Sequence, residues 1–262
     1  MTENADRGRM QDDDRPERFS EIIGNSHVTR PLSSMIASDS FPHVIFLHGP
    51  TGSGKTTLAR LLGRAFLCVQ TGNGSHEPCG QCSSCRIGLH QILAYSEFDA
   101  ATFRDEDLID LRSCQFSFTN FTVIDEVQQY QTHHLEAFKK IVEDCDTHIV
   151  ICTTHRDSLD DALLNRLLSY EYALKRPSPS EIADYLELRC QALDVTYENR
   201  EQLIRVARSY ECMMRPCAKF PLKAYREAGG AISDKYLDAV FGSEGSQRSA
   251  PNLSEFASFF SG

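Results

Sequence analysis

The residues Gly49 to Thr57 read GPTGSGKTT, which satisfies the pattern G-x-x-x-x-G-K-[ST], and they follow the apolar run Val44-Ile45-Phe46-Leu47. This combination restricts the fold more than any other feature. The pattern requires a buried strand that delivers a glycine-rich loop to the N-terminus of a helix. Thr57 to Leu62 supply the amphipathic opening of that helix. Gly49, Gly52 and Gly54, with Pro50, Thr51 and Ser53 between them, let backbone N–H groups close around phosphate oxygens at a helix N-terminus. Lys55 is placed to reach β- and γ-phosphates, the Thr56 hydroxyl to ligate Mg²⁺, and Thr57 to continue the cradle into the helix.

A second signal lies at Phe121-Thr122-Val123-Ile124-Asp125-Glu126. The β-branched and aromatic run reads as a buried strand that carries two carboxylates to its C-terminal edge, where parallel α/β sheets bind ligands. Asp125 then holds Mg²⁺ through water, and Glu126 orients and polarises the water that attacks a γ-phosphate. No N-K-x-D guanine-reading motif is present, so ATP is the expected nucleotide.

With 262 residues, 41% hydrophobic and 24% charged, the chain has the composition of a soluble α/β domain plus a smaller one. No stretch approaches a membrane span. The N-terminal segment has no apolar core of a signal peptide and is not an Arg-rich amphipathic transit sequence, so a cytosolic (cytoplasmic) location is expected, with residues 1–14 a disordered arm. The net charge of -10 has the wrong sign for a protein that grips nucleic acid alone; such contact would come from a local patch or a multi-chain assembly.

Ten cysteines in a chain of this kind point in part to metal or redox use. Cys79, Cys82 and Cys85 form C-x2-C-x2-C, and Cys68 stands upstream at the end of the phosphate-loop helix. Four thiolates suit a closed, structural tetrahedral Zn²⁺ site. His76 competes with Cys68 as fourth ligand, and an iron–sulfur cluster fits the same residues. Cys114, Cys145, Cys152, Cys190, Cys212 and Cys217 read as small hydrophobes.

Strand-like runs at Val44 to Leu47, around Glu97 to Asp99, Thr122 to Ile124, His148 to Cys152 and near Tyr170 to Ala173 alternate with helical stretches such as Asp105 to Arg112 and His134 to Val142. That alternation predicts a doubly wound parallel sheet sandwiched by helices. At Arg176-Pro177-Ser178-Pro179-Ser180-Glu181 the chain restarts, with Ser178 as helix cap, Pro179 in the first turn and Glu181 closing a capping box. Three helical runs follow: Ile182 to Leu193, Leu203 to Ala207, and Lys219 to Ala228 ending at Gly229-Gly230. The expected organisation is an α/β domain over 15–175 with a zinc module at 68–86, a small all-α lid over 176–240, and a linker and tail over 241–262.

The segments RPERFSEIIGNSHV, GPTGSGKTTLARLLGRAFLC, PCGQCSSC, FDAATFRDEDLIDLR, TVIDEVQ and CTTHRDSLDDALLNRL together resemble the bacterial DNA polymerase III clamp-loader ATPase, the gamma/tau subunit, of the AAA+ class. The resemblance runs from about Arg15 to about Gly230. It implies ATP-driven opening of a sliding clamp and its placement on primer-template DNA, in a homo- or hetero-oligomer of five loader subunits. It further implies that Arg15, Pro16, Ile23 and Gly24 pack near the adenine. Thr154 matches the polar first sensor of the γ-phosphate, and Arg215 the second-sensor arginine of the lid. Arg166 falls where the family has an arginine that acts in trans on the neighbouring subunit's ATP.

The sequence departs from the family pattern at several places. The family's Ser-Arg-Cys triplet reads Asn165-Arg166-Leu167, Pro216 replaces an acidic lid residue, and Ser113 to Asn120 is short and lacks Lys and Arg. The family's C-terminal collar, a domain of about a hundred residues, is expected to have no counterpart in the 32 residues that follow Gly230. A compact phage-encoded loader or a truncated chain accounts for that. The tail, Leu253 to Phe260, resembles clamp-binding peptides and reads equally as a terminal helix docked on its own domain. The intact Lys55, Thr56, Asp125 and Glu126 favour a motor over a non-hydrolysing delta-prime-like stator. A P-loop phosphotransferase or a zinc-bearing DNA-binding regulator would need an acceptor site or a basic recognition helix, and neither is evident. Lys139, Lys140 and Arg156 are the candidate DNA contacts, with solvated surface charge as the competing reading.

Overall fold

The structure, a computed structural model, describes residues 15–71, 75–114, 121–144 and 147–242. The expected arm 1–14, most of the segment before the second acidic strand, and the tail with its anchor residues lie outside the described residues.

Five strands, β1 (Val44–His48), β2 (Tyr95–Asp99), β3 (Phe121–Asp125), β4 (His148–Thr153) and β5 (Glu171–Ala173), form one parallel sheet in the order β2-β3-β4-β1-β5. Alternation along the central strands divides the core in two, because successive side chains leave opposite faces. Ile45 and Leu47 of β1, with Val150 and Cys152 of β4, pack against α1 (Ser26–Ala37) and α2 (Lys55–Phe66). Phe46, Ile149 and Ile151 face the other way, toward α5 (Thr132–Asp144) and α6 (Asp161–Leu167), with Leu111 of α4 (Asp105–Cys114) in the same cluster. A single-turn helix, α3 (Ser83–Arg86), belongs to the cysteine-rich insertion between α2 and β2. All four strands nearest the phosphate loop therefore end at one edge: His48 is in register with Thr153 and Ala173, and Ile124 with Ile151.

The lid has its own core. Ile182, Leu186 and Cys190 of α7 (Pro179–Ala192) meet Leu203 and Val206 of α8 (Arg200–Ser209), Cys217 and Phe220 of α9 (Met214–Ala228), and Leu237 of α10 (Asp234–Phe241). Helix α7 begins as its sequence requires, with Ser178 and Glu181 making both bonds of a capping box. Among these helices lies a feature absent from the sequence reading, a two-stranded parallel sheet of β6 (Thr196–Tyr197) and β7 (Ala231–Ile232). Helix α9 starts five residues earlier than the periodicity suggests. Pro216 falls in its first turn, where a missing N–H costs nothing, and Gly229 ends it at φ 62°. The phosphate-loop helix likewise starts at Lys55 rather than Thr57.

Helix α2 lies unusually close to the sheet at Gly63. A Cβ there would stand 2.9 Å from Tyr95 Cε2 and 3.1 Å from two Phe121 ring atoms, and both rings are buried. Gly63→Ala gains about 1 kcal/mol of helix propensity but overpacks a fixed site at a cost of ~1–3 kcal/mol. The expected result is a lower urea midpoint at unchanged slope, a net loss of about 1 kcal/mol; an unchanged or higher midpoint would contradict this packing.

Candidate nucleotide site and cysteine cluster

The phosphate loop joins β1 to α2, and its glycines answer to local sterics. At Gly49, with φ 147°, a Cβ would lie 2.2 Å from the Leu174 carbonyl oxygen, so no side chain fits. At Gly54, φ 95°, a Cβ would meet nothing within 4 Å, which leaves open space beside the start of α2. Lys55 is buried and donates from Nζ to the carbonyl oxygens of Gly49 (2.9 Å) and Pro50 (3.3 Å). Burial lowers the Lys55 pKa, opposed by the nearby charges of Glu126 and Asp125. Ser53 Oγ is buried and, among the described residues, has no hydrogen-bond partner, an unmet polar group inside the loop.

Thr56 Oγ1 donates to Asp125 Oδ2 at 2.6 Å, joining the first turn of α2 to the end of β3. A hydroxyl and a carboxylate side by side are hard oxygen donors that suit Mg²⁺. Burial raises the Asp125 pKa, the Thr56 hydrogen bond opposes that shift, and the Glu126 charge adds to it. Glu126 itself has φ 52° and ψ 44°, a left-handed conformation that costs a non-glycine residue about 1–3 kcal/mol. Its Oε2 accepts from Gln128 Nε2 (2.6 Å) and Thr154 Oγ1 (2.8 Å). Gln128 also donates to Thr154 Oγ1 (2.9 Å) and accepts from Thr153 Oγ1 (2.6 Å). Thr154 is thus bonded to Glu126 of the acidic pair.

Three other tethers hold the loop. Asn25 donates from Nδ2 to the carbonyls of Ser53 (3.3 Å) and Lys175 (2.8 Å) and accepts from the Lys175 amide at 2.8 Å. Arg176 donates to the Thr51 carbonyl (3.0 Å) and to Glu211 Oε2 (3.2 Å). Met213, just before α9, packs on the loop, since a Cβ on Gly52 would lie 3.0 Å from its Cγ. The Gly24-Asn25 pair is a turn signal that marks the first of these; no local pattern marks Gln128 or Arg176.

The other expected site residues divide. Ile23 and Gly24 lead into Asn25, and the space at Gly24 is bordered by Pro177 and Glu181 of the lid. Arg15 and Pro16 line a cavity of about 220 Å³ together with Thr57, Arg60, Arg64 and His90. Arg215 is exposed in the first turn of α9, two residues beyond Met213. Arg166 stands apart from the loop: it donates to Glu143 Oε1 (2.6 Å) and to the Ala162 carbonyl (2.5 Å). Of the candidate DNA contacts, Lys139 is buried and paired with Glu136 (2.7 Å) and Asp160 (2.5 Å). Arg156 is paired with Glu171, and Lys140 is exposed.

The sulfurs of Cys68, Cys79, Cys82 and Cys85 lie within 4.8 Å of one another. The Cys79–Cys85 and Cys82–Cys68 pairs are each 3.9 Å apart, near the roughly 3.8 Å edge of a tetrahedron with Zn–S bonds of about 2.3 Å. His76 is exposed and outside the cluster. Burial raises the Cys68 thiol, but the Thr71 hydroxyl and the amides of Cys79 and Gln70 bring it down to about 6. Burial pushes Cys85 up to about 12. Of the other cysteines, Cys152, Cys190 and Cys217 are buried and Cys212 is partly so.

Residues 24–166, more than half of the chain, match the family described as DNA polymerase III, delta subunit. The chain belongs to that DNA polymerase III family. Within it the chain is gamma/tau-like. The DNA polymerase III subunit tau of Escherichia coli K12 is 29% identical over 237 residues, covering 87% of this chain and 36% of the relative. The gamma/tau subunit of Mycobacterium tuberculosis H37Rv is 32% identical over 175 residues, covering 62% and 30%. The chain therefore spans about a third of the length of these relatives. Among solved structures, the RuvB Holliday junction branch migration motor of Thermotoga maritima superposes with a TM-score of 0.61 at 19% identity, covering 84% of this chain and 69% of that one. That likeness establishes the AAA+ type of fold. Among the described residues no helix is long and apolar enough to cross a membrane.

Because burial raises the Asp125 pKa, ionised Asp125 destabilises the nucleotide-free protein. The penalty is fully present above the raised folded pKa, fades as pH falls, and is gone below the unfolded value. Asp125→Asn should raise the thermal midpoint at pH 7, and its advantage should shrink as pH falls through the carboxyl range. A midpoint lowered at pH 7 would contradict this electrostatic reading.

Proposed function

We propose that this chain is an ATP-hydrolysing clamp-loader subunit that, with other subunits, opens a sliding clamp and sets it on primed DNA. The observation that carries the reading is the Thr56–Asp125 contact beside a held Glu126 at the mouth of an intact phosphate loop. The gamma/tau relatives supply the replication context.

In this reading the backbone amides of Gly52 to Lys55 receive the β-phosphate, and Lys55 leaves the Gly49 and Pro50 carbonyls for the β- and γ-oxygens. Thr56 and Asp125 hold Mg²⁺, whose chemistry there is charge neutralisation across the phosphates. Glu126 orients the attacking water. Thr154, bonded to Glu126, couples that carboxylate to the γ-phosphate position. Arg215 reaches the phosphates from the lid, and Gly24 with Ile23 borders the base. Among the described residues Arg166 is bound to Glu143 and a helix carbonyl, which suits an arginine that is released to a neighbour's ATP. Such arginines are typically worth ~10³ to 10⁵ in rate. The delta-subunit description of the family raises the stator reading again, but a stator has no need of the Lys55, Thr56, Asp125 and Glu126 set.

The cysteine cluster is proposed to hold one structural zinc. Metal analysis of purified protein should find one zinc per chain, lost in Cys79→Ser. Chelation should lower the thermal midpoint by at least about 5 °C, equivalent to roughly 2 kcal/mol in a chain of this length. Iron in place of zinc, or zinc retained by the variant, would refute the assignment.

Steady-state ATP turnover tests the motor. Clamp and primer-template DNA should each stimulate it, Lys55→Ala and Arg166→Ala should each nearly abolish it, and mixing the two variants should restore part of it through a mixed interface. Full activity in Arg166→Ala would remove the trans arginine; turnover indifferent to clamp and DNA would remove the loader assignment.

A further inference from the structure

A second group of metal-ligating side chains, sharing no residue with either site, lies between the first turns of α4 and α5. Asp105 is the first residue of α4, and His133 and His134 are the second and third of α5. Nε2 of His134 lies 2.8 Å and Nε2 of His133 3.2 Å from the same oxygen, Asp105 Oδ1. The three ligand atoms all lie within 4.8 Å of one another. Neighbouring residues on a helix diverge by about 100° and do not face each other. Here the two imidazole rings nevertheless meet, with centroids 3.9 Å apart.

The geometry suits a metal better than an ion pair. His134 is buried and fixed edge-on against Phe103, at 5.1 Å and 77°, with Tyr130 beyond it at 6.3 Å. One ligand is therefore rigid, while His133 and Asp105 are exposed and leave an entry path from solvent. Two imidazoles converging on one oxygen of a solvated carboxylate are worth little as surface ion pairs. With both nitrogens deprotonated the same atoms form a two-histidine, one-carboxylate donor set. Metal–ligand bonds of about 2.0–2.2 Å put neighbouring ligands roughly 2.9–3.4 Å apart, close to the two nitrogen-to-oxygen separations of 2.8 and 3.2 Å.

We propose that Asp105, His133 and His134 form a second metal site, separate from the cysteine cluster, that binds one divalent late transition ion such as Ni²⁺ or Zn²⁺ with water completing the shell. Nitrogen donors select against Mg²⁺ and Ca²⁺. Both helices present N-terminal ends, whose dipoles oppose a cation. Asp105, Glu106 and Asp107, all in the first turn of α4, counter that field. The bound ion joins α4 to α5, the helices that follow β2 and β3, and so braces the segment just beyond Glu126.

The test uses untagged full chain whose cysteine cluster is already loaded with zinc, titrated with Ni²⁺ by calorimetry and followed by thermal melting. One Ni²⁺ per chain should bind and raise the melting temperature, without sulfur-to-nickel charge-transfer absorption. His133→Ala and Asp105→Asn, both at exposed positions, should each weaken binding at least about tenfold while melting like wild type without nickel. Wild-type protein that takes up no Ni²⁺, or either variant with wild-type affinity, overturns the site.

Discussion

The hydrogen bond from Thr56 to Asp125 spans 69 residues of sequence in 2.6 Å, and the architecture is arranged so that it can form. It requires β1 and β3 to end at the same sheet edge, which the parallel registers through β4 enforce. It requires α2 to start at once after the loop, which Gly54 permits by taking a left-handed turn without steric cost. It also requires α2 to lie low on the sheet, which Gly63 permits by having no side chain to hold Tyr95 and Phe121 away. The buried aliphatic residues on both faces of the central strands supply the stability that positions these polar ends.

The polar edge runs against that stability. An ionised Asp125 in a buried setting, a left-handed Glu126, a desolvated Lys55 and an unpartnered Ser53 hydroxyl each oppose folding of the empty protein. Such concentrations of strain and unmet polarity are characteristic of functional sites. The lid is coupled to them directly. Arg176 bonds both the Thr51 carbonyl and Glu211, and Met213 rests on Gly52. These contacts tie the loop to the start of α9, where Arg215 stands.

Much of this was written locally in the chain. The phosphate loop, the strand ending in two carboxylates, the capping box at Ser178 and the C-x2-C-x2-C run each depend on residues close in sequence, and each forms the local structure expected of it. Features that rest on long-range packing were less visible. Helix α1 carries Pro31 in its interior and begins after a left-handed Asn25 that makes no side-chain cap bond, so its start is unmarked although Val28, Leu32 and Ile36 recur at helical spacing. Strands β6 and β7 have two residues apiece, too few for any alternation to register. The choice of Cys68 over His76 needed coordinates, because spacing allowed both. Gln128, which links Glu126 to both threonines of β4's end, and the Asp105–His133–His134 group, spanning 28 and 29 residues, are products of the tertiary fold alone.

Thr56 and Asp125 are proposed to turn the glycine loop into a magnesium-dependent triphosphate site. Calorimetric titration of the purified chain with a non-hydrolysable ATP analogue, with and without Mg²⁺, tests it most directly. Binding should tighten at least about tenfold with Mg²⁺ and lose that gain in Thr56→Ala. Analogue affinity indifferent to Mg²⁺, or no affinity at all, would contradict it.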